Sequence, residues 1–115
     1  MDNETIPLDS SSSSAEEPLY ILSLLNNELM SSSWKLSNRE YKIGRSSENN
    51  IILDDITVSR NHALLSVSKE NIKITDNNST NGIYINNVIK SDYELQSGDK
   101  IQIGKYLLLL TKVMK

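Results

Sequence analysis

The chain contains no cysteine, which removes a disulfide framework, a thiolate metal site and a cysteine nucleophile at once. It has a single histidine, His62, so Asp54 and Asp55 lack the imidazole or thiolate partners of a convincing transition-metal site. No run approaches the roughly 18 apolar residues of a membrane helix, and the N-terminus is acidic where a secretory leader is basic. There is no phenylalanine, and Trp34 is the only indole, so the core is expected to be aliphatic. No Walker or dinucleotide glycine pattern appears, and no cofactor is implied. These absences lead us to expect one soluble domain kept inside the cell, with no metal, cofactor or membrane partner.

Charge is scarce in one direction only. Residues 1–17 carry Asp2, Glu4, Asp9, Glu16 and Glu17 with no base, so the net charge of −3 conceals a remainder with ten acids and twelve bases. That weak positive balance does not announce nucleic-acid binding, which we exclude as the function, yet it tolerates a small anionic ligand. The same first stretch, rich in serine and acids, has too few apolar groups to offset the entropy of ordering. Residues 1–17 are expected to be a disordered tail, with Pro18 marking entry to a folded domain over 18–115.

From Leu19 onward apolar residues recur at every second position in short runs separated by polar turns, the pattern of β-strands. Strands are expected over 19–25, 33–37, 41–45, 50–54, 62–68, 71–76, 82–86, 100–104 and 106–113, and only residues 20–30 could be argued as a helix. Ile72 with Ile74, Ile83 with Ile85, and Ile101 with Ile103 each place two apolar groups on one face, as a two-layer sandwich requires. The fold class is all-β.

Catalysis has little to stand on. Ser59 lies three residues before His62, but no third triad member, oxyanion hole or nucleophile elbow accompanies them. What the sequence offers instead is three polar stretches at strand ends, over residues 43–50, 56–62 and 77–82. Two of the three arginines, Arg45 and Arg60, sit there beside serines. A planar guanidinium suits phosphate, and hydroxyls with turn amides supply further donors. In the third stretch, Asn81-Gly82 is a strong turn signal because both types tolerate positive φ.

Gly44-Arg45, then Ser59-Arg60-Asn61-His62, then Ser79-Thr80-Asn81-Gly82, followed by "YIN" and "LQSGDKIQIG", resembles the forkhead-associated (FHA) domain over roughly residues 19–113. The resemblance implies a β-sandwich of about eleven mostly antiparallel strands whose loops at one end bind phosphothreonine peptides in a partner protein. It implies that Arg45 pairs with the phosphate, Ser59 gives it a hydroxyl bond, Arg60 adds a phosphate or peptide contact, Thr80 lines the phosphothreonine pocket, and Asn81 holds the peptide main chain. It assigns Gly44 and Gly82 to backbone geometry and His62 to bracing the loop that carries Ser59. It further implies a non-enzymatic signalling protein, nuclear or cytoplasmic with the nucleus favoured, and DNA-damage signalling as one setting. The alternative is an FHA-like structural or oligomerisation domain that binds without phosphate. Two further expectations concern the ligand. The acids in residues 53–58 should disfavour an acidic residue three positions after the phosphothreonine, and Thr5, phosphorylated, could be bound by a second copy of the chain.

Overall fold

A computed structural model describes residues 19–25 and 32–113; the expected tail, with Thr5, lies outside these residues, as do residues 26–30 of the segment argued as a helix, whose described part is instead strand through Leu24. Eleven strands form among them: β1 (Leu19–Leu24), β2 (Ser33–Leu36), β3 (Glu40–Gly44), β4 (Ile51–Ile52), β5 (Ala63–Val67), β6 (Ile72–Asp76), β7 (Ile83–Ile85), β8 (Val88–Lys90), β9 (Asp92–Leu95), β10 (Lys100–Ile103) and β11 (Tyr106–Val113). They make a five-stranded sheet of order β9-β6-β5-β3-β4 and a six-stranded sheet of order β2-β1-β11-β10-β7-β8. The described pairs are antiparallel except β3 with β4, where Ile43 faces Ile51 and Gly44 faces Ile52. The all-β sandwich expected from the sequence is the fold.

Alternation drives the packing. Ile72, Ile74, Ile83, Ile85, Ile101 and Ile103 are all buried, and Leu22, Ile43, Leu65, Leu108 and Leu110 join them between the sheets. The core is aliphatic apart from Tyr41, a buried aromatic that the expectation of an aliphatic core left out, and Trp34, Tyr20, Tyr93 and Tyr106 are partly buried against it. Each such side chain, withdrawn from water, contributes about 1.5–3 kcal/mol relative to exposure. A shift of one residue in any ladder would turn these groups to solvent, so the hydrophobic pattern fixes the register.

Two strands escape the sequence pattern. Val88 and Ile89 are exposed on β8 at the sheet edge, so β8 shows no period-two alternation; β9 does alternate, with Tyr93 partly buried and Leu95 buried between exposed Asp92 and Glu94, but over four residues the pattern is too short to stand out. Asn86 and Asn87 both have positive φ, 51° and 72°, and form the two-residue turn joining β7 to β8, the geometry that matches strand twist. Residues 50–54 yield only a two-residue strand. Ile51 and Leu53 still point inward, but β3 ends at Gly44 and the chain bends at once, with Val58 N–H donating to the Asp55 carbonyl.

The loops β3–β4, β4–β5 and β6–β7 and the β10–β11 turn meet at one end of the sandwich, where hydrogen bonds tie them to one another. They contain all three polar stretches.

Candidate functional site

Gly44 ends β3 where the chain passes over the Arg60 carbonyl. A Cβ at this position would lie 2.2 Å from that oxygen, so the glycine is required by close approach. Its φ is not among the positive ones, and the need is space rather than left-handed conformation. Immediately after it, Arg45 N–H donates to the Ser59 carbonyl at 3.0 Å, and the half-buried side chain spends its Nε–H on the Val58 carbonyl at 3.0 Å. The guanidinium is thereby anchored by one edge, with its terminal nitrogens left for a ligand.

Asn49 locks the same two loops. Its Nδ2 donates to the carbonyls of Ser46 at 2.9 Å and Arg60 at 2.7 Å, and the residue is buried. Nothing in the sequence marks it, because an asparagine in a serine-rich turn carries no signal of burial. Arg60 has its backbone held this way while its side chain is exposed.

His62, fully buried, is the centre of the second loop. Its Nδ1 accepts the Ser59 N–H at 2.9 Å, which places the ring proton on Nε2, and Nε2 then donates to the Gly82 carbonyl at 2.8 Å. One ring bridges the Ser59 loop to the β6–β7 loop. Ser59 makes a second bridge, since its Oγ accepts the Thr80 N–H at 3.0 Å, leaving the hydroxyl proton to be donated outward.

The β6–β7 loop is wound by Asp76, which accepts the Ser79 hydroxyl and, at 3.3 Å, the Ser79 N–H; Ser79 Oγ in turn accepts the Gly82 N–H at 2.8 Å. The positive φ values fall at Asn78 (51°) and Gly82 (80°). Asn81 is not one of them, so the expected Asn81-Gly82 bend rests on Gly82 alone, and the tight two-residue hairpin lies at Asn86-Asn87. Asn81 is exposed and donates from Nδ2 to the Thr57 carbonyl at 2.9 Å.

Thr57 was missed in the sequence, although Asp55-Ile56-Thr57 is the pattern of an Asx turn. Asp55 Oδ2 accepts both the Thr57 N–H (2.9 Å) and its hydroxyl (2.6 Å), Thr57 Oγ1 accepts the Lys105 N–H at 2.9 Å, and Lys105 Nζ lies 3.1 Å from Asp55 Oδ1. The Thr57 hydroxyl, then the Thr57 amide and Lys105, hold the Asp55 carboxyl down at about 2, so it is ionised throughout the neutral range. Gly104, at φ 59°, brings the β10–β11 turn against Thr57, where a Cβ would meet Oγ1 at 2.5 Å. One of the two acids expected to repel an acidic ligand residue is therefore already compensated by a lysine distant in sequence, and that expectation retains only Asp54 as its basis. Removing the hub should act through Asn81: Thr57→Val should weaken ligand binding several-fold, given about 0.5–1.5 kcal/mol per hydrogen bond, while Thr57→Ser preserves it. Equal calorimetric affinities of Thr57→Val and wild type would refute the coupling.

Among the described residues no group of three or more His, Cys, Asp or Glu side chains is arranged to hold a metal, and no helix is long and apolar enough to cross a membrane. Arg45, Ser59, Arg60, Thr80 and Asn81, scattered over 37 positions of sequence, belong to loops joined by direct hydrogen bonds.

Such an end-on cluster of polar loops on two stacked sheets defines a β-sandwich binding module whose recognition surface is loop-built. The FHA domain family model matches residues 41–104, and the chain belongs to the FHA domain family. It is 44% identical over 66 residues to an oxoglutarate dehydrogenase inhibitor of Corynebacterium efficiens, covering 57% of this chain and 46% of that protein. It is 39% identical over 66 residues to the glycogen accumulation regulator GarA of Mycobacterium tuberculosis, covering 57% of this chain and 41% of that protein. The match thus spans less than half the length of these relatives. A solved structure described as a study of phosphothreonine-dependent FHA domain interactions superposes with a TM-score of 0.75 at 27% identity, over 81% of this chain and 95% of the other. Both relatives are bacterial, and they lend no support to the nuclear placement or the DNA-damage setting implied by the resemblance.

Proposed function

We propose that this domain is a non-catalytic module that binds phosphothreonine peptides of a partner protein through the Arg45, Ser59, Arg60, Thr80 and Asn81 loops. The observation that carries this reading is the paired use of Ser59: its oxygen is occupied by the Thr80 N–H, so its proton is oriented outward beside the loop of Arg45, whose fork is fixed by Val58. The two groups supply charge and a directed donor, the elements of phosphate recognition. Asn81, steadied by Thr57 through Nδ2, keeps Oδ1 for a peptide N–H. Family membership and the likeness to a phosphothreonine-dependent domain support the same reading, and regulator and inhibitor relatives support a non-enzymatic role inside the cell.

The ligand's own chemistry supplies the test. Phosphate has a second pKa of about 6, so its charge falls from nearly −2 toward −1 as pH drops from 7.5 to 5.5. Affinity for a phosphothreonine peptide should fall over that interval and with added salt, and a phosphoserine version, lacking the methyl, should bind more weakly. Titration calorimetry that finds affinity independent of pH and salt would refute a phosphate pocket.

Phosphorylated Thr5 is proposed as one such ligand, offered between copies of the chain, with Leu8 three positions on supplying an apolar group. Sedimentation of the Thr5-phosphorylated protein should show concentration-dependent association that Arg45→Ala abolishes. A strictly monomeric phosphoprotein at about 100 μM, where micromolar pairs populate complexes, would dismiss it.

A further inference from the structure

The outer face of the six-stranded sheet carries a trough that begins at the proposed peptide grip and leads away from it. Its first part, about 320 Å³, opens at Asn81 and Gly82 between Thr57 and Lys105. Its second part, about 340 Å³, ends among Asn86, Asn87, Lys100 and Leu107. Tyr84 and Gln102 line both parts and are direct partners across β7 and β10. They point outward because their neighbours Ile83, Ile85, Ile101 and Ile103 point into the core. Ile89, paired with Tyr84 across β7 and β8 and 59% exposed, adds an apolar rim.

The charges along this path are unequal in their freedom. At the near end, Lys105 is engaged by Asp55. At the far end, Asp99 accepts from Asn86 Nδ2 at 2.9 Å and from the Gln96 N–H at 2.7 Å, so its carboxylate is held in place by neutral donors and not by a lysine. The exposed Lys100 side chain has no ion-pair partner among the described residues. The trough therefore presents a tyrosine along its length, with Ile89 beside it, and at its distal end an exposed lysine without an ion-pair contact.

We infer that this trough is a second recognition surface for the same partner chain, receiving an extended segment that flanks the phosphothreonine and carries a carboxylate for Lys100. The inference rests on the phosphothreonine reading, because the segment must leave the site past Asn81. The spacing follows from strand geometry. Asn81 and Asn86 are five residues apart, about 16 Å at strand rise, which an extended peptide covers in about five residues. The carboxylate thus falls about five to eight residues from the phosphothreonine. The trough is continuous with the Asn81 grip, and its lysine matches an acidic segment in charge. Specificity would then be read in two places, phosphate at the loops and an acidic flank on the sheet.

The test compares a nine-residue phosphothreonine peptide with versions extended by eight residues at the C-terminal or the N-terminal end, the extension carrying glutamates, glutamines or lysines. The short peptide should bind. A glutamate extension at one end should tighten binding about two- to fivefold at low salt, the range of an exposed ion pair, and the gain should vanish with glutamines or in Lys100→Ala. In Lys100→Glu the preference should reverse toward the lysine extension, which a merely structural role for Lys100 could not produce. A short peptide that binds while neither extension adds affinity, or a gain that persists in Lys100→Ala, overturns the trough and leaves the phosphate pocket intact. A short peptide that fails to bind overturns both.

Discussion

Arg45→Ala should lower phosphopeptide affinity by at least about tenfold while leaving the fold in place. The guanidinium is the one cation in the cluster whose side chain is fixed by a backbone carbonyl, so it meets the phosphate with little ordering cost. A charge-assisted hydrogen bond contributes about 1.5–3 kcal/mol, and a bidentate contact makes two. The substitution forfeits the bond to Val58 as well, but the neighbouring backbone link from Arg45 N–H to Ser59 needs no side chain. Circular dichroism should therefore be unchanged. Arg45→Lys should recover only part of the affinity, since an ammonium cannot reproduce the planar fork. Arg39, exposed and stacked 4.8 Å over the Tyr41 ring, serves as the control arginine, and Arg39→Ala should bind normally. Normal binding by folded Arg45→Ala would remove the phosphate pocket from this end of the molecule.

His62→Ala should act on stability first. The ring is wholly buried, and its loss leaves the Ser59 N–H and the Gly82 carbonyl without their partners. An unsatisfied buried polar group costs about 1–3 kcal/mol, and the vacated volume adds to that. Even about 2 kcal/mol would lower Tm by about 10 °C in a domain of this size. Because both freed groups belong to the site loops, affinity should fall together with Tm. A thermal melt that superimposes on the wild type would show that the bridge between the two loops does not hold them.

The sheets were legible because alternating isoleucines leave one register in which both faces are satisfied, as at Ile72 and Ile74 or Ile101 and Ile103. Val88–Lys90 was not, because an edge strand with two exposed apolar residues has no face to alternate against. In the site, Arg45 and Ser59 were legible from residue type and order. The supports were not: Asn49 and Lys105 act through contacts 11 and 48 residues away in sequence, and no local pattern encodes such a partner. The role of Gly44 was legible only as a need for glycine; that the reason is the Arg60 carbonyl, and not φ, required the packed loops.

Phosphate dependence can be read from a single titration. A threonine peptide is measured by calorimetry against this domain in its phosphorylated and unphosphorylated forms, at pH 7.5 and fixed salt. The phosphorylated peptide should bind saturably, and the other should show no detectable binding at the same concentrations. Equal binding of the two forms would contradict phosphate dependence and would favour a docking surface that takes no account of phosphate.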